Sequence, residues 1–225
     1  MPSPSFSDPA IDAFVSDLIE QAQRHGVALK LPSTPSLLYP GAAESHVSGY
    51  FVVHPTPTLA VATGKPAQEW LEILAHESSH MDQWTDNDPS WLGNTMADGR
   101  EAVDWLDSWC AGDLELTDDE LADVVARAKA VEMDCERRTL LKISKWGLPI
   151  DSSAYAQRAN AYVHFYDVVA QTGRWNEPGL APYQVEGVWA HAPKVLVNEA
   201  PEGLKAAYAR HYGPRSLRLL KPWRA

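Results

Sequence analysis

The sequence predicts an α+β protein that is mostly helical and carries one small β-sheet. Several long segments repeat apolar residues at helical spacing, and two short neighbouring segments are rich in β-branched and aromatic residues. Glycines and prolines punctuate the chain between these segments. With 45% hydrophobic and 22% charged residues, the chain has a globular composition, so we expect residues 1–225 to form a single domain.

The first elements are a helix, two strands and a second helix. The first helix is predicted from Pro9 to His25, and Gly26 is placed to end it. The strands are predicted in SGYFVVH and TLAVAT, and the prolines between them place at least one strand at a sheet edge. The next helix is predicted in TGKPAQEWLEILAHESSHMDQW, with Pro66 near its start. Its predicted buried stripe consists of Trp70, Leu71, Leu74, Ala75, Ser78 and Met81.

Further helices are predicted in the rest of the chain. The sequence TDDE at Thr117 to Glu120 has the form of a capping box and should open a long helix. A single amphipathic helix is predicted for SSAYAQRANAYVHFYDVVAQTG. The other predicted ranges are Met96 to Cys110, which Gly112 ends, the long helix to about Lys145, and a short helix at Leu204 to His211.

The segment EILAHESSHMDQW places His76 and His80 four residues apart on the second predicted helix. Residues at this spacing project from the same helix face, so two imidazole rings can converge on one ion. Zinc accepts imidazole nitrogens, and Glu77 lies beside that face, where it can reach a metal-held water. The pattern predicts a zinc site with His76 and His80 as ligands and Glu77 as general base. The alternative is a helix whose two histidines are satisfied by hydrogen bonds.

A later segment, AVEMDCERRT, carries Glu132 and, one turn further on the same face, Glu136. With the His-Glu-x-x-His helix, it resembles the gluzincin branch of the zincin metallopeptidases, which pairs that helix with a later Glu-x-x-x-acid helix. The resemblance implies that Glu132 is the third zinc ligand and that Glu136 accepts a hydrogen bond from a histidine ligand. Cys135 takes the place of the small residue before the second acid. That acid is more commonly Asp in these families.

Other acids are alternatives for the third ligand. Glu101 follows His80 by 21 residues, close to the separation in thermolysin-like members of the family, and Asp98 and Asp104 flank it. Glu136 itself is a further alternative. Each of these acids can also be an ordinary solvent-facing helix charge.

The resemblance covers mainly residues 48–84 and 120–145. It implies a zincin-like core at about 48–145, in which a small sheet packs on the motif helix beside a second ligand-bearing helix. Residues of about 150–225 then form a helical extension. The overall pattern is similar to uncharacterised zincin-like proteins of phages and bacteria.

The function implied by the resemblance is zinc-dependent hydrolysis of a peptide or protein substrate. Glu77 would take the proton of the attacking water and pass it to the leaving amine. The strand from Tyr50 to His54 could hold an extended peptide by strand addition. The candidate donors to the oxyanion are Tyr155, Tyr162, His164 and Tyr166, and the alternative is that they are core aromatics on the stripe of an amphipathic helix.

The same residues fit other functions. One alternative is a catalytically inactive zincin fold used for binding or regulation, and another is a zinc hydrolase of non-peptide amides. A carboxylate-bridged di-iron protein would need a second Glu-x-x-His on another helix, and the chain has none.

The charge distribution and the apolar runs bear on partners and location. The net charge is −11, and residues 82–123 carry thirteen acids and one base, which argues against nucleic-acid binding. This acid block is predicted to be a solvated surface, with a basic partner as the alternative. The chain lacks a membrane-length apolar run and a secretory pattern, so we expect a cytoplasmic protein with reduced Cys110 and Cys135.

Overall fold

The computed structural model describes residues 8–41, 45–176 and 179–212. The α+β class is confirmed, because 57% of the residues are helical and small sheets supply the other regular structure. The helices are α1 (Pro9–Arg24), α2 (Ala67–Asp86), α3 (Pro89–Gly93), α4 (Ala102–Ala111), α5 (Asp118–Trp146), α6 (Ser152–Val163), α7 (Phe165–Thr172), α8 (Glu186–Trp189) and α9 (Glu202–His211). The strands are β1 (Ala28–Lys30), β2 (Leu37–Leu38), β3 (His46–Val47), β4 (Gly49–Val52) and β5 (Thr58–Val61).

The chain divides into two compact units, and the boundary between them falls inside α5. The first unit joins the chain up to Asp88 with Arg138–Ile150, and the second joins Pro89–Arg137 with the chain from Asp151 onward. The first unit therefore holds all five strands, α1, α2 and the last turns of α5. The prediction of a single zincin-like domain over residues 1–225 stays a prediction.

The main sheet of the first unit has the strand order β1, β5, β4. The two predicted strands are confirmed as β4 and β5, which pair antiparallel, with Tyr50 opposite Ala60. All four residues of β5 are buried, whereas β4 is half-buried and lies at the edge of this sheet. The sequence pattern missed β1, which pairs parallel with β5, because three residues give no periodicity.

Helix α1 follows its prediction closely. The Asp8 carboxylate accepts a hydrogen bond from the Ala10 N–H at the start of the helix. The helix ends before Gly26, whose φ of +68° is the left-handed conformation that favours glycine. The buried stripe confirms the helical spacing and consists of Ile11, Phe14, Val15, Leu18 and Ala22.

Helix α2 packs on β4 and β5. At Gly49 the helix and the edge strand come into close contact, because a Cβ there would lie 2.5 Å from Ile73 Cγ2. The predicted buried stripe of α2 is confirmed, with Ser79 and Gln83 buried in addition. Because Gly49 has no side chain, the motif helix can pack closely on the sheet at this position.

In the second unit, two predicted helices have different bounds. Helix α4 begins six residues later than predicted, since residues 95–101 form a turn closed by a bridge between Thr95 and Glu101. The single helix predicted after Pro149 is instead α6 and α7, with a break at His164. The capping box at Thr117 is confirmed, because Glu120 accepts from the Thr117 N–H at 2.8 Å.

The break at His164 coincides with a set of side chains that hold the segment from Ala190 to Val197. Asn160 donates to the carbonyls of Pro193 and Val195 at 3.0 and 2.8 Å. The His164 Nε2 lies 3.1 Å from the Val197 carbonyl, which can only accept, so Nε2 carries the proton. The core of this unit includes Leu106, Val124, Ala128, Phe165, Tyr166, Val169, Val188, Leu204 and Tyr208.

Candidate metal centre

His76 and His80 share one face of α2, as the sequence predicts. Their ring centroids lie 4.8 Å apart, and the ring planes are nearly perpendicular at 87°. Both side chains are half-buried, as is Glu77 between them. Two imidazoles on adjacent turns of a helix that is itself fixed to the sheet can supply two corners of a tetrahedral zinc site.

Gln83 sets the orientation of the His80 ring. The side-chain oxygen of Gln83 lies 2.8 Å from the Nδ1 atom of His80, one turn away on the same helix. Because an amide oxygen can only accept, Nδ1 carries the proton and the lone pair of the neutral ring is on Nε2. Metal-binding histidines commonly donate their other ring N–H to such an acceptor. The sequence reasoning missed this residue, although its spacing of three from His80 was visible.

Polar side chains fix the last turns of α5 to α2 within the first unit. The Thr139 hydroxyl donates to the Ser79 hydroxyl at 3.1 Å, and Lys142 Nζ donates to the Ser78 hydroxyl at 2.8 Å. Lys142 also forms an ion pair with Asp82 at 2.8 Å. Ser78, Ser79 and Thr139 are fully buried, so this contact is desolvated. The last turns of α5 are therefore anchored to α2 at Thr139 and Lys142.

The predicted acids lie on the stripe of α5 that leads to Thr139. Cys135 and Glu136 lie three and four residues after Glu132 and four and three residues before Thr139, so the stripe runs along one helix face. Cys135 is fully buried and Glu136 is 3% exposed. Acids at such positions need partners, since burying an unsatisfied charge is costly.

Tyrosines of the second unit donate hydrogen bonds to Glu132 and Glu136. The Tyr162 hydroxyl donates to Glu132 Oε1 at 3.3 Å, and it lies 3.2 Å from the Tyr166 hydroxyl. The Tyr155 hydroxyl donates to Glu136 Oε2 at 2.5 Å. The predicted bond from a histidine ligand to Glu136 stays a prediction, and Tyr155 is a donor to Glu136 that sequence reasoning did not assign.

The hydroxyls of Tyr162 and Tyr166 remain protonated at neutral pH. Burial raises the pKa of Tyr162 and of Tyr166 well above the ordinary value, and the nearby Glu132 carboxylate raises both further. A phenol that keeps its proton can continue to donate to a carboxylate. Tyr162 is therefore a stable hydrogen-bond donor to Glu132.

Glu101, the alternative third ligand, has a structural role at the start of α4. Its side chain accepts from the backbone of Asp104, while the Asp104 carboxylate accepts from the Glu101 N–H at 3.1 Å. This reciprocal pair is a capping box, and Glu101 is exposed. Its carboxylate is thus explained without a metal.

The acid block is partly engaged within the protein. Arg138 pairs with Asp86 at 2.6 Å and with Asp88 at 2.8 Å. Arg100 pairs with Asp98, and hydrogen bonds from Trp105 and Arg100 lower the pKa of Asp98 to about 2. Several of these acids therefore serve internal contacts, and the basic partner predicted for this surface stays a prediction.

A cleft of about 400 Å³ in the first unit lies between α1 and the last turns of α5. Its apolar wall includes Phe14, Leu18 and Trp146, and Lys145 lies 4.5 Å from the Trp146 ring centroid. None of His76, Glu77 and His80 lines it. The cleft is separate from the histidine pair.

Comparisons with known proteins found no relative of this chain. No family model matches the chain, and neither do any of the curated proteins or the solved structures. Within the described ranges, no helix combines the length and apolar character needed to cross a lipid bilayer. The histidine pair on α2 and its contact with Gln83 are therefore the basis for a proposed function.

Proposed function

We propose that the protein is a zinc-dependent metallopeptidase with a gluzincin-like site. The observation that carries the proposal is the pair His76 and His80 on one face of α2, with the Nδ1 of His80 held by Gln83. Two neighbouring imidazoles, one of them oriented through its second nitrogen, fit a zinc ion.

The third protein ligand in this proposal is Glu132. Two histidines and a glutamate form one of the common catalytic zinc sets, and a fourth position then stays open for water. Cys135 is the second candidate, since it lies on the same stripe of α5 as Glu132 and a cysteine thiolate is a common zinc ligand. A thiolate would give a set of two histidines and one cysteine, which also occurs in zinc enzymes.

The chemistry assigned to the protein residues is acid–base catalysis by Glu77. When bound, zinc would lower the pKa of water and polarise the scissile carbonyl. Glu77 follows His76 directly in α2 and takes the proton of the attacking water. The same carboxyl group then gives the proton to the leaving nitrogen, so Glu77 returns to its starting state.

The edge strand β4 is the proposed binding element for the substrate. It is an edge strand of the β1, β5, β4 sheet, and α2 packs against it. An extended peptide can add to such an edge through backbone hydrogen bonds. A peptide or an unfolded protein segment is therefore the proposed substrate class.

The experiment that tests the function compares Glu77→Gln with Glu69→Gln. Glu69 is an exposed acid in the first turn of α2 and serves as the matched control. We expect Glu77→Gln to keep about one zinc per chain and to lose hydrolysis of an unfolded protein by about a hundredfold or more. Glu69→Gln should keep both.

The outcomes separate the proposed function from its alternatives. Unchanged hydrolysis in Glu77→Gln would remove the general base and the proposal with it. Zinc binding without hydrolysis of a peptide library by the wild type would favour a binding or regulatory protein, unless simple amides are cleaved. Iron at two per chain would favour a di-iron protein.

A further inference from the structure

Gln83 is a polar side chain in an unusual place. It is fully buried near the end of α2, on the stripe that also carries Ser79. Burying an amide without hydrogen bonds costs free energy, so buried glutamines are retained where their partners matter. The partner of its side-chain oxygen is His80 Nδ1 at 2.8 Å.

We infer that Gln83 is a positioning residue, which holds His80 in the Nδ1–H tautomer and so presents Nε2 to the metal. The side-chain oxygen of Gln83 can only accept a hydrogen bond, so the Nδ1 atom of His80 is the donor. Both residues belong to one helix, so the contact forms with the helix itself. The consequence for metal binding rests on the proposed zinc function, but the tautomer does not.

The contact between Gln83 and His80 also bears on the hydrogen bond that the resemblance implies for Glu136. The resemblance implies that Glu136 accepts a hydrogen bond from a histidine ligand. In His80 the nitrogen that would make this bond already donates to Gln83, so His80 is not the donor that the resemblance implies for Glu136. Gln83 is neutral, and it therefore orients the ring without adding a negative charge beside the metal.

The test begins with the tautomer in the metal-free full-length protein. Two-bond ¹H–¹⁵N spectra, recorded above the pH at which the rings titrate, distinguish the two neutral tautomers, and His80→Asn assigns the signal. We expect the Nδ1–H form in the wild type and in Gln83→Glu. Gln83→Leu and Gln83→Met should shift His80 toward the Nε2–H form. The exposed Gln68, also in α2, provides the control Gln68→Leu, which should change nothing.

The second readout is zinc affinity, measured by competition with a chelator. Removing an acceptor behind a metal-bound histidine typically weakens binding by about 10–100-fold. We expect that loss in Gln83→Leu and Gln83→Met, and near wild-type affinity in Gln83→Glu and Gln68→Leu. Two replacements without an acceptor are included so that the failure of one to fold leaves the test intact.

The outcomes distinguish this inference from the proposed function. An Nε2–H tautomer in the wild type, or an unchanged tautomer and zinc affinity in both apolar variants, would overturn the role of Gln83. A wild type that binds no zinc would overturn the proposed function instead. The spectra would then still decide whether Gln83 controls the ring.

Discussion

The Nδ1 atom of His80 lies 2.8 Å from the side-chain oxygen of Gln83, so a buried amide sets the orientation of a half-buried imidazole within one helical turn. This contact relates the sequence motif to metal chemistry, because it determines which ring nitrogen carries the lone pair. His76, with its ring centroid 4.8 Å away, completes the pair.

The identity of the third ligand gives the first prediction. We expect Glu132→Gln to weaken zinc binding by ~tenfold or more, since it replaces a charged ligand by a neutral amide, whereas Cys135→Ser should bind zinc like the wild type. Cobalt substitution gives an independent measurement, because a thiolate ligand produces a charge-transfer band in the near ultraviolet and a carboxylate does not. A band that Cys135→Ser abolishes, together with weakened zinc binding in that variant, would assign Cys135 in place of Glu132.

The bond between Tyr155 and Glu136 gives a prediction about stability. Tyr155→Phe removes a donor from a carboxylate that is 3% exposed, and leaving such a group short of a partner costs about 1–3 kcal/mol. Urea denaturation followed by tryptophan fluorescence measures the loss. The control is Tyr50→Phe on β4, where the side chain is half-buried and the expected loss is below ~0.5 kcal/mol. Equal losses in the two variants would mean that the Glu136 contact contributes nothing.

Gly49 gives a prediction about the packing of α2 on β4. An alanine there would put its Cβ 2.5 Å from Ile73 Cγ2, so Gly49→Ala should destabilise the protein by about 1–3 kcal/mol through overpacking. Gly93→Ala is the matched control, since a Cβ at Gly93 meets nothing within 4 Å. Thermal denaturation compares them. If Gly49→Ala were as stable as Gly93→Ala, α2 and β4 could not be packed as closely as described.

His164 gives a prediction about pH. Burial lowers the pKa of this ring below its ordinary value of 6.5, and Lys129 lowers it further, while the Val197 carbonyl and Asp167 act in the opposite direction. The unfolded chain therefore binds a proton at His164 at a higher pH than the folded chain does. The resulting stability is complete above about pH 6.5 and is lost as the pH falls through the folded pKa.

The measurement for His164 is the unfolding free energy of wild type and His164→Gln between pH 8 and 5. Glutamine can keep the donor to Val197 but cannot gain a proton, so the variant should lose less stability on acidification. The other histidines are the same in both proteins, so their contributions cancel in the comparison. Parallel curves would show that His164 contributes nothing to the pH dependence.

The sequence alone was sufficient to predict elements that have an extended amphipathic repeat or a clear capping motif. The spacing in α1 and α2 predicted both helices and their buried residues, and the capping box at Thr117 marked the start of α5. Prolines and β-branched residues marked β4 and β5. These signals are local, so the chain displays them without any tertiary information.

Other features depend on tertiary contacts that cannot be identified from the sequence pattern. Strand β1 is three residues long and is defined by its pairing with β5. The break at His164 lies inside a continuous amphipathic pattern, and the residues there bind the segment that ends at Val197. The roles of Gln83 and Tyr155 likewise come from single contacts of buried side chains, which have no sequence signature.

The central claim is that His76 and His80 bind one zinc ion together, and equilibrium titration of the metal-free protein with zinc tests it most directly. The wild type should bind about one zinc per chain, and His76→Ala and His80→Ala should each weaken that site by ~tenfold or more. His54→Ala, outside the motif, is the control and should bind like the wild type. A wild type that takes up no zinc, or one whose affinity survives both motif substitutions, would contradict the account.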